Sequence, residues 1–475
     1  MTAQAAAVAA ISALGTERHG APRMEGFLLL YATALVLDQT ESWRAPAVAL
    51  ALIALTALTL WRGPARPVVL ALLGISLVDG ILRAPDLANH HNLTLFLHVV
   101  LLLHYGAASL FNRRMVAFDD ALFDAVAPSL RAAVIVCYFF AGFHKLNLDF
   151  FDPKVSCAGW FIDKLTGIYL GGIVRVPPLV VAVMAVVVAA CELCLAVLLV
   201  RRQGRAAALV LAWALHGVLA LAVFFDFSAL MFALLWTFVP GRVARQTHQT
   251  DHGRLASPVC TLVALQLVGA AVSGAAWSVF GEAQKTPVHI MQGMVLNLGA
   301  LLVAVPLWRA WQKPGLTTET RTQFRLSAAA VALILGLFAS SNYLGLRTAG
   351  TFSMFSNLRT EAGAGNHVLL GRGWPLFNYQ DDVVWIISLR APREQHLFSL
   401  VGMGIPRVEL MKRIADWRAN GSGPISARLR DGKNEYDSVD LTVDPRWPVT
   451  TMSWPMRLLD FRAVQPEPSP NSCRW

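Results

Sequence analysis

The sequence predicts an all-α polytopic membrane bundle of about 9–11 transmembrane helices, followed by a small C-terminal α+β extracytoplasmic domain. Three observations predict it. Of 475 residues, 56% are hydrophobic and only 15% charged, giving a mean hydropathy of +0.52 that excludes a soluble globular chain. Apolar runs of about 20 residues, the length a bilayer core demands, recur from residue 25 to residue 346. Beyond that point the composition changes to 16 basic and 13 acidic residues with no run long enough to span.

Residues 1–24 form an N-terminal cytoplasmic segment; they carry Glu17, Arg18 and Arg23 and no convincing cleavable signal, so the first span serves for insertion. Spans follow at 45–61, 65–84, 92–110, 131–147, 177–200, 204–225, 258–281, 290–308 and 326–346, with shorter, marginal runs at 25–38 and 227–240. Counting both short runs as crossings gives eleven spans. With the N-terminus inside, the inner connections of that arrangement hold 17 lysines and arginines against 6 outside, as the positive-inside rule requires. The predicted location is the bacterial inner (cytoplasmic) membrane, with residues 347–475 extracytoplasmic. The net charge of +10 is thus a topology signal, and no nucleic acid partner is expected.

In the tail, 381–390 reads as a mostly buried strand, 406–420 as an amphipathic helix and 425–443 as a hairpin turning near Asp431-Gly432. The six cysteines are scattered, mostly within apolar runs. No disulfide framework is implied, although Cys157 and Cys473 both fall outside and are free to bridge. The CELC stretch at 191–194 reads as packing.

Polar residues gather at one membrane level. "YFFAGFHKLNLDFFDP" (138–153) ends an apolar run with His144 and Lys145, followed by Asn147, Asp149 and Asp152. "LANHHNL" (87–93) places His90 and His91 at the outer start of the next span, and Asp226 is outer as well. A lone lysine at a helix end snorkels into the headgroup layer at little cost, which is the bland reading. The cluster argues against it. His91, His98 and Tyr105 recur every seven residues along one helix face, while Glu192 and His216 lie deep within their own spans. Buried ionisable groups require partners or a cavity, so an outward-opening pocket is predicted, where apolar walls push an amine toward its neutral, basic form. The histidines lack the H-x-x-x-H or H-E-x-x-H spacing, so no metal is expected, and no G-x-S-x-G supports a serine triad.

"YFFAGFHKLNLDF" resembles the A-G-x-x-K-L-x-x-D-[FW] stretch of vitamin K-dependent gamma-carboxylases and of bacterial proteins sharing the horizontally transferred transmembrane domain (HTTM). "ANHHNL" resembles their N-H-x-x-L segment, and 216–240 and 343–361 resemble later parts of the family. The resemblance covers roughly residues 25–310 and implies a lyase- or ligase-class enzyme. Lys145 would deprotonate reduced vitamin K or menaquinone (a hydroquinone), His90 would stabilise the developing oxyanion, and O2 and CO2 would be co-substrates in proton abstraction and carboxylation. His91, His144, Asn147, Asp149 and His216 are the expected binding residues. His144 stands where animal members carry a second lysine, Asn147 replaces an acidic residue, and the outer domain is smaller. The expected partners are membrane lipids, a lipid-soluble quinone and a periplasmic peptide or protein. The alternative is a non-catalytic quinone- or lipid-binding protein whose outer domain engages a periplasmic partner; a transporter finds support only in Glu192 and His216.

Overall fold

A computed structural model describes residues 22–84, 87–248, 254–281, 285–312, 325–391, 400–419, 421, 423–447, 458–466 and 473. Residues 1–21 of the predicted cytoplasmic segment, Lys313 and Arg321, and most of the proline-rich terminus lie outside the described residues. The chain is mostly helical. Helices over Asn89–Phe111, Asp120–His144, Pro178–Val200, Arg202–Leu221, Pro258–Phe280 and Thr286–Arg309 are long and apolar enough to cross a membrane, making this a multi-pass helical membrane protein.

In chain order the helices are α1 (Pro22–Thr40), α2 (Pro46–Arg62), α3 (Arg66–Arg83), α4 (Asn89–Phe111), α5 (Asp120–His144), α6 (Leu148–Phe151), α7 (Cys157–Leu170) and α8 (Pro178–Val200). They continue with α9 (Arg205–Leu221), α10 (Phe225–Leu235), α11 (Gly241–His248), α12 (Pro258–Phe280), α13 (Lys285–Trp311) and α14 (Leu326–Ser340). A helix therefore stands at every predicted apolar run, the two short ones included. The structure divides into two compact units, one of residues 1–81, 94–134 and 198–332, the other of 82–93, 135–197 and 333–475. The sequence-predicted boundary at 346/347 falls inside the second unit.

In the first unit α1 is buried on nearly every side, as is α10. The short run read at 25–38 belongs to a helix of 19 residues, whereas α10 has only 11, and a helix enclosed by other helices need not match the hydrocarbon thickness itself. Glycines bring these helices close. A Cβ on Gly26 would lie 2.6 Å from the Trp236 ring, whose indole N–H donates to the Arg23 carbonyl at 3.0 Å. One on Gly274 would lie 2.5 Å from Trp43, whose own indole donates to Ser273 at 3.1 Å. Arg23 clamps the start of α5 through Asp120 at 3.2 Å and Asp124 at 2.6 Å.

In the second unit an antiparallel sheet of order β2-β1-β3-β4 is formed by β1 (Val383–Arg390), β2 (Gly404–Pro406), β3 (Ser426–Asp431) and β4 (Asn434–Ser438). The strand, helix and hairpin read from the sequence match β1, α15 (Arg407–Ala419) and β3–β4; the turn holds Gly432 at φ +57°. The sequence did not mark β2. Val384, Ile386, Ile405, Leu410, Ile414, Leu429, Leu441 and Trp447 make the core. α15 also buries an ion pair, Lys412 to Glu409 at 2.8 Å, which its amphipathic pattern did not announce. Residues 458–466 return to the sheet: Val464 exchanges two backbone hydrogen bonds with Gly404, and Asp460 pairs with Arg347 at 2.8 Å. Cys157 is disulfide-bonded to Cys473, with Cα atoms 4.7 Å apart.

Candidate functional site

α5 ends at His144, leaving Lys145 in a turn directly beyond the helix. There its ammonium turns back and is buried. Nζ lies 3.2 Å from the Ala141 carbonyl, 3.0 Å from Glu192 Oε1 and 2.8 Å from Oε2, with the Phe150 ring 5.9 Å away. The side chains of Lys145 and Glu192 are only 6% and 13% exposed, so this is a desolvated pair rather than a surface contact.

Glu192 is the one charged residue in the 23-residue α8. It reaches Lys145 because α5 and α8 approach closely at Gly142. A Cβ there would lie 2.8 Å from Leu193 Cγ and 3.2 Å from the Ala189 carbonyl. A larger residue would separate the helices and pull the ion pair apart.

Beyond Lys145, the motif is stitched to an irregular segment that follows α14. Residues 347–361 are nearly all buried despite having no regular structure, and Phe352, Phe355 and Asn357 adopt positive φ of 58°, 54° and 54°. His144 Nδ1 faces the Phe352 carbonyl at 3.2 Å, so that nitrogen carries the proton and Nε2 is left as an acceptor. Asn147 caps α6 by accepting from the Phe150 N–H at 2.8 Å, while its amide donates to the carbonyls of His144 and Ser356. Asp149 accepts from Asn366 Nδ2 at 2.8 Å. Asn357 joins the next turn, accepting from Cys157 N and donating to the Val155 carbonyl. His367 Nδ1 accepts two backbone N–H groups, from Leu369 and Leu370, both at 3.1 Å; its Nε2–H must therefore donate to the Phe143 carbonyl at 3.0 Å. Burial lowers the pKa of His367, keeping it in this neutral form.

The predicted residues thus divide. Lys145, His144, Asn147 and Asp149 come together at the end of α5. His90 and His91 occupy the first turn of α4, their ring centroids 4.0 Å apart, in the same unit. Lys145 is bonded to Glu192, not to His90. His216 and His98 belong to the first unit, where His216 packs against Phe227 with ring centroids 5.2 Å apart and His98 against Tyr31 at 5.5 Å. Glu192, Asn357, Asn366 and His367 were absent from the predicted set. Glu192 had a sequence signal, as a solitary acid inside an apolar helix, and Asn357 lies in the family-like stretch 343–361.

Chemically, the pair offers a carboxylate to take a proton and an ammonium to hold negative charge, with zero net charge. Such a site suits an uncharged hydroxylic molecule better than an anion. Compared with family models, with curated proteins and with solved structures, the chain finds no match.

Proposed function

We propose that the chain is an integral membrane enzyme of the gamma-carboxylase-like kind, in which the Lys145–Glu192 pair accepts a proton from a lipid-soluble quinol. The observation that carries this reading is the burial of that pair, 2.8 Å apart, at the end of an apolar helix. Glu192 takes the hydroxyl proton, and the Lys145 ammonium holds the negative charge left on the oxygen. The site is neutral before and after, which avoids the several kcal/mol that an unpaired buried ion costs. Lys145 therefore acts through Glu192, rather than as a solitary neutral amine. When bound, reduced vitamin K or menaquinone would supply the acidic hydroxyl and, with O2, the oxidative power that proton abstraction and CO2 addition need. His144 and Asn147 bond the backbone of the segment after α14, and Asp149 accepts from Asn366.

The disulfide between Cys157 and Cys473 supports an extracytoplasmic location for this end of the molecule, because such bonds persist in oxidising compartments. It agrees with the distribution of basic residues. In this reading the protein resides in the inner membrane with its N-terminus cytoplasmic, and a peptide or protein outside is the carboxyl acceptor.

A second reading is that of a non-catalytic quinone- or lipid-binding protein with a periplasmic partner. It is favoured by the bonding of Lys145, whose ammonium already faces three acceptor oxygens. Incubating the purified protein with reduced menaquinone, O2 and labelled bicarbonate separates the two. Epoxide and fixed label from the wild type, lost in both Lys145→Ala and Glu192→Gln, support the enzyme. Recovery of bound quinone with neither product supports the second reading.

A further inference from the structure

α9 and α13 of the first unit are pinned together where Gly217 and Gly293 face the partner helix. A Cβ on Gly293 would lie 2.2 Å from the Ala220 carbonyl oxygen, and one on Gly217 would lie 2.7 Å from Asn297 Oδ1. Asn297 Nδ2 donates to the carbonyls of Gly217 and Gly293 at 3.1 and 2.9 Å, locking this crossing. Toward the other end, small residues line both helices, Ala206 and Ala214 on α9 and Ala300 and Ala304 on α13. Pro306 inside α13 lacks the N–H that would bond one turn back. A half-open cleft of about 640 Å³ lies along the two helices. Its lining runs from Ala206 to Leu221 along α9, which at 1.5 Å per residue is roughly 22 Å. That exceeds the roughly 15 Å depth of one leaflet.

The walls are almost wholly apolar, with the polar groups in few places. Arg309, Trp308 and Trp311 line the cleft where α13 ends. Arg309 is exposed, and tryptophans at such a level are characteristic of the membrane–water boundary. Trp213 also lines the cleft, and its buried indole N–H has no hydrogen-bond partner among the described residues. A groove for hydrocarbon, a cation at its mouth and an unmatched donor on its wall together describe one kind of occupant.

We propose that this cleft is a binding site for an anionic phospholipid. One acyl chain lies between α9 and α13, the phosphate meets the Arg309 guanidinium, and an ester carbonyl accepts from Trp213. Arginine suits this position because its planar fork binds phosphate oxygens in pairs. The site shares no residue with the Lys145–Glu192 pair and does not depend on the enzymatic reading.

The test is native mass spectrometry of the full chain released from detergent after equilibration with equal amounts of phosphatidylglycerol and phosphatidylcholine. The wild type should retain phosphatidylglycerol about tenfold over phosphatidylcholine, the ratio that one charge-assisted contact of about 1.4 kcal/mol gives. Arg309→Gln should bring the ratio near one; because Arg309 is exposed, its thermal transition should not move. Ala304→Trp, which fills the cleft, should release both lipids, and Val305→Trp does the same job should that variant not fold. A wild type showing no preference, an undiminished preference in Arg309→Gln, or a lipid-free dimer in which a second copy covers the cleft would each overturn the proposal.

Discussion

At the scale of single residues the proposed chemistry rests on two charges that neutralise each other. Removing one partner of a buried pair leaves the other without compensation, at a cost of about 3–5 kcal/mol, whereas removing both leaves no orphan. Lys145→Met and Glu192→Gln should thus each lower thermal stability in detergent, and the double variant should recover much of the loss. Additive losses would mean that the side chains do not interact. His367 gives a second expectation. Its pKa is lowered by burial, so protonation is easier in the unfolded chain. Its contribution is full above the ordinary histidine value of about 6.5 and is lost as pH falls through the depressed value in the folded state. Acidification should loosen the 367–370 turn from Phe143, and melting followed from pH 7.5 downward should show a decline that His367→Leu flattens.

Lys145 was legible in the sequence because it stands within a cluster of polar residues at one membrane level, which the snorkelling of a lone amine does not explain. Glu192 was legible as an anomaly without an address: the sequence shows a solitary acid in a span but not which helix it meets. The meeting depends on Gly142, and its packing against Leu193 has no local pattern. The hydrogen-bonded segment from 347 to 371 was hidden for a different reason. Its conformation uses positive φ at Phe352 and Phe355, residues that do not advertise such turns.

At the scale of elements, the α5–α8 contact decides whether the pair exists. Gly142→Ala places a methyl group within 3.0 Å of the Leu193 backbone nitrogen, a clash that the backbone must relieve by shifting. Overpacking of this kind costs about 1–3 kcal/mol. We expect Gly142→Ala to reduce turnover far more than it reduces the amount of folded protein, which activity and size-exclusion yield measured on one preparation would check. In the sheet, Asp444 is held down to a pKa of about 2, chiefly by the Arg446 side chain, with Ser438 donating at 2.6 Å. A lowered carboxylate stabilises the fold above its ordinary range near pH 4 and loses that contribution as pH falls toward 2. Arg446 is half exposed, so screening limits the effect to about 1–2 kcal/mol, and Asp444→Asn should remove it in an acid melt.

At the scale of the whole molecule, periodicity and run length located every described helix long and apolar enough to span, and the two shorter, marginal runs also fall on helices. What they could not supply was grouping. Apolar runs look alike whether they face lipid or protein, so the enclosure of α1 and α10 emerged only from the packed structure. Residues after 346 share a compact unit with most of α8 and the second half of α5, a grouping that run length does not encode. The tail's strand, helix and hairpin were easier, since alternation and turn residues encode them locally.

The central claim is that Lys145 and Glu192 act as one buried proton-accepting unit on a quinol. It is tested most directly by oxygen-dependent oxidation of reduced menaquinone by wild-type, Lys145→Ala and Glu192→Gln proteins in nanodiscs, each matched for folded content. A lost proton acceptor should slow the reaction by about 10²–10⁴-fold in both variants. Either variant turning over at the wild-type rate would contradict the account.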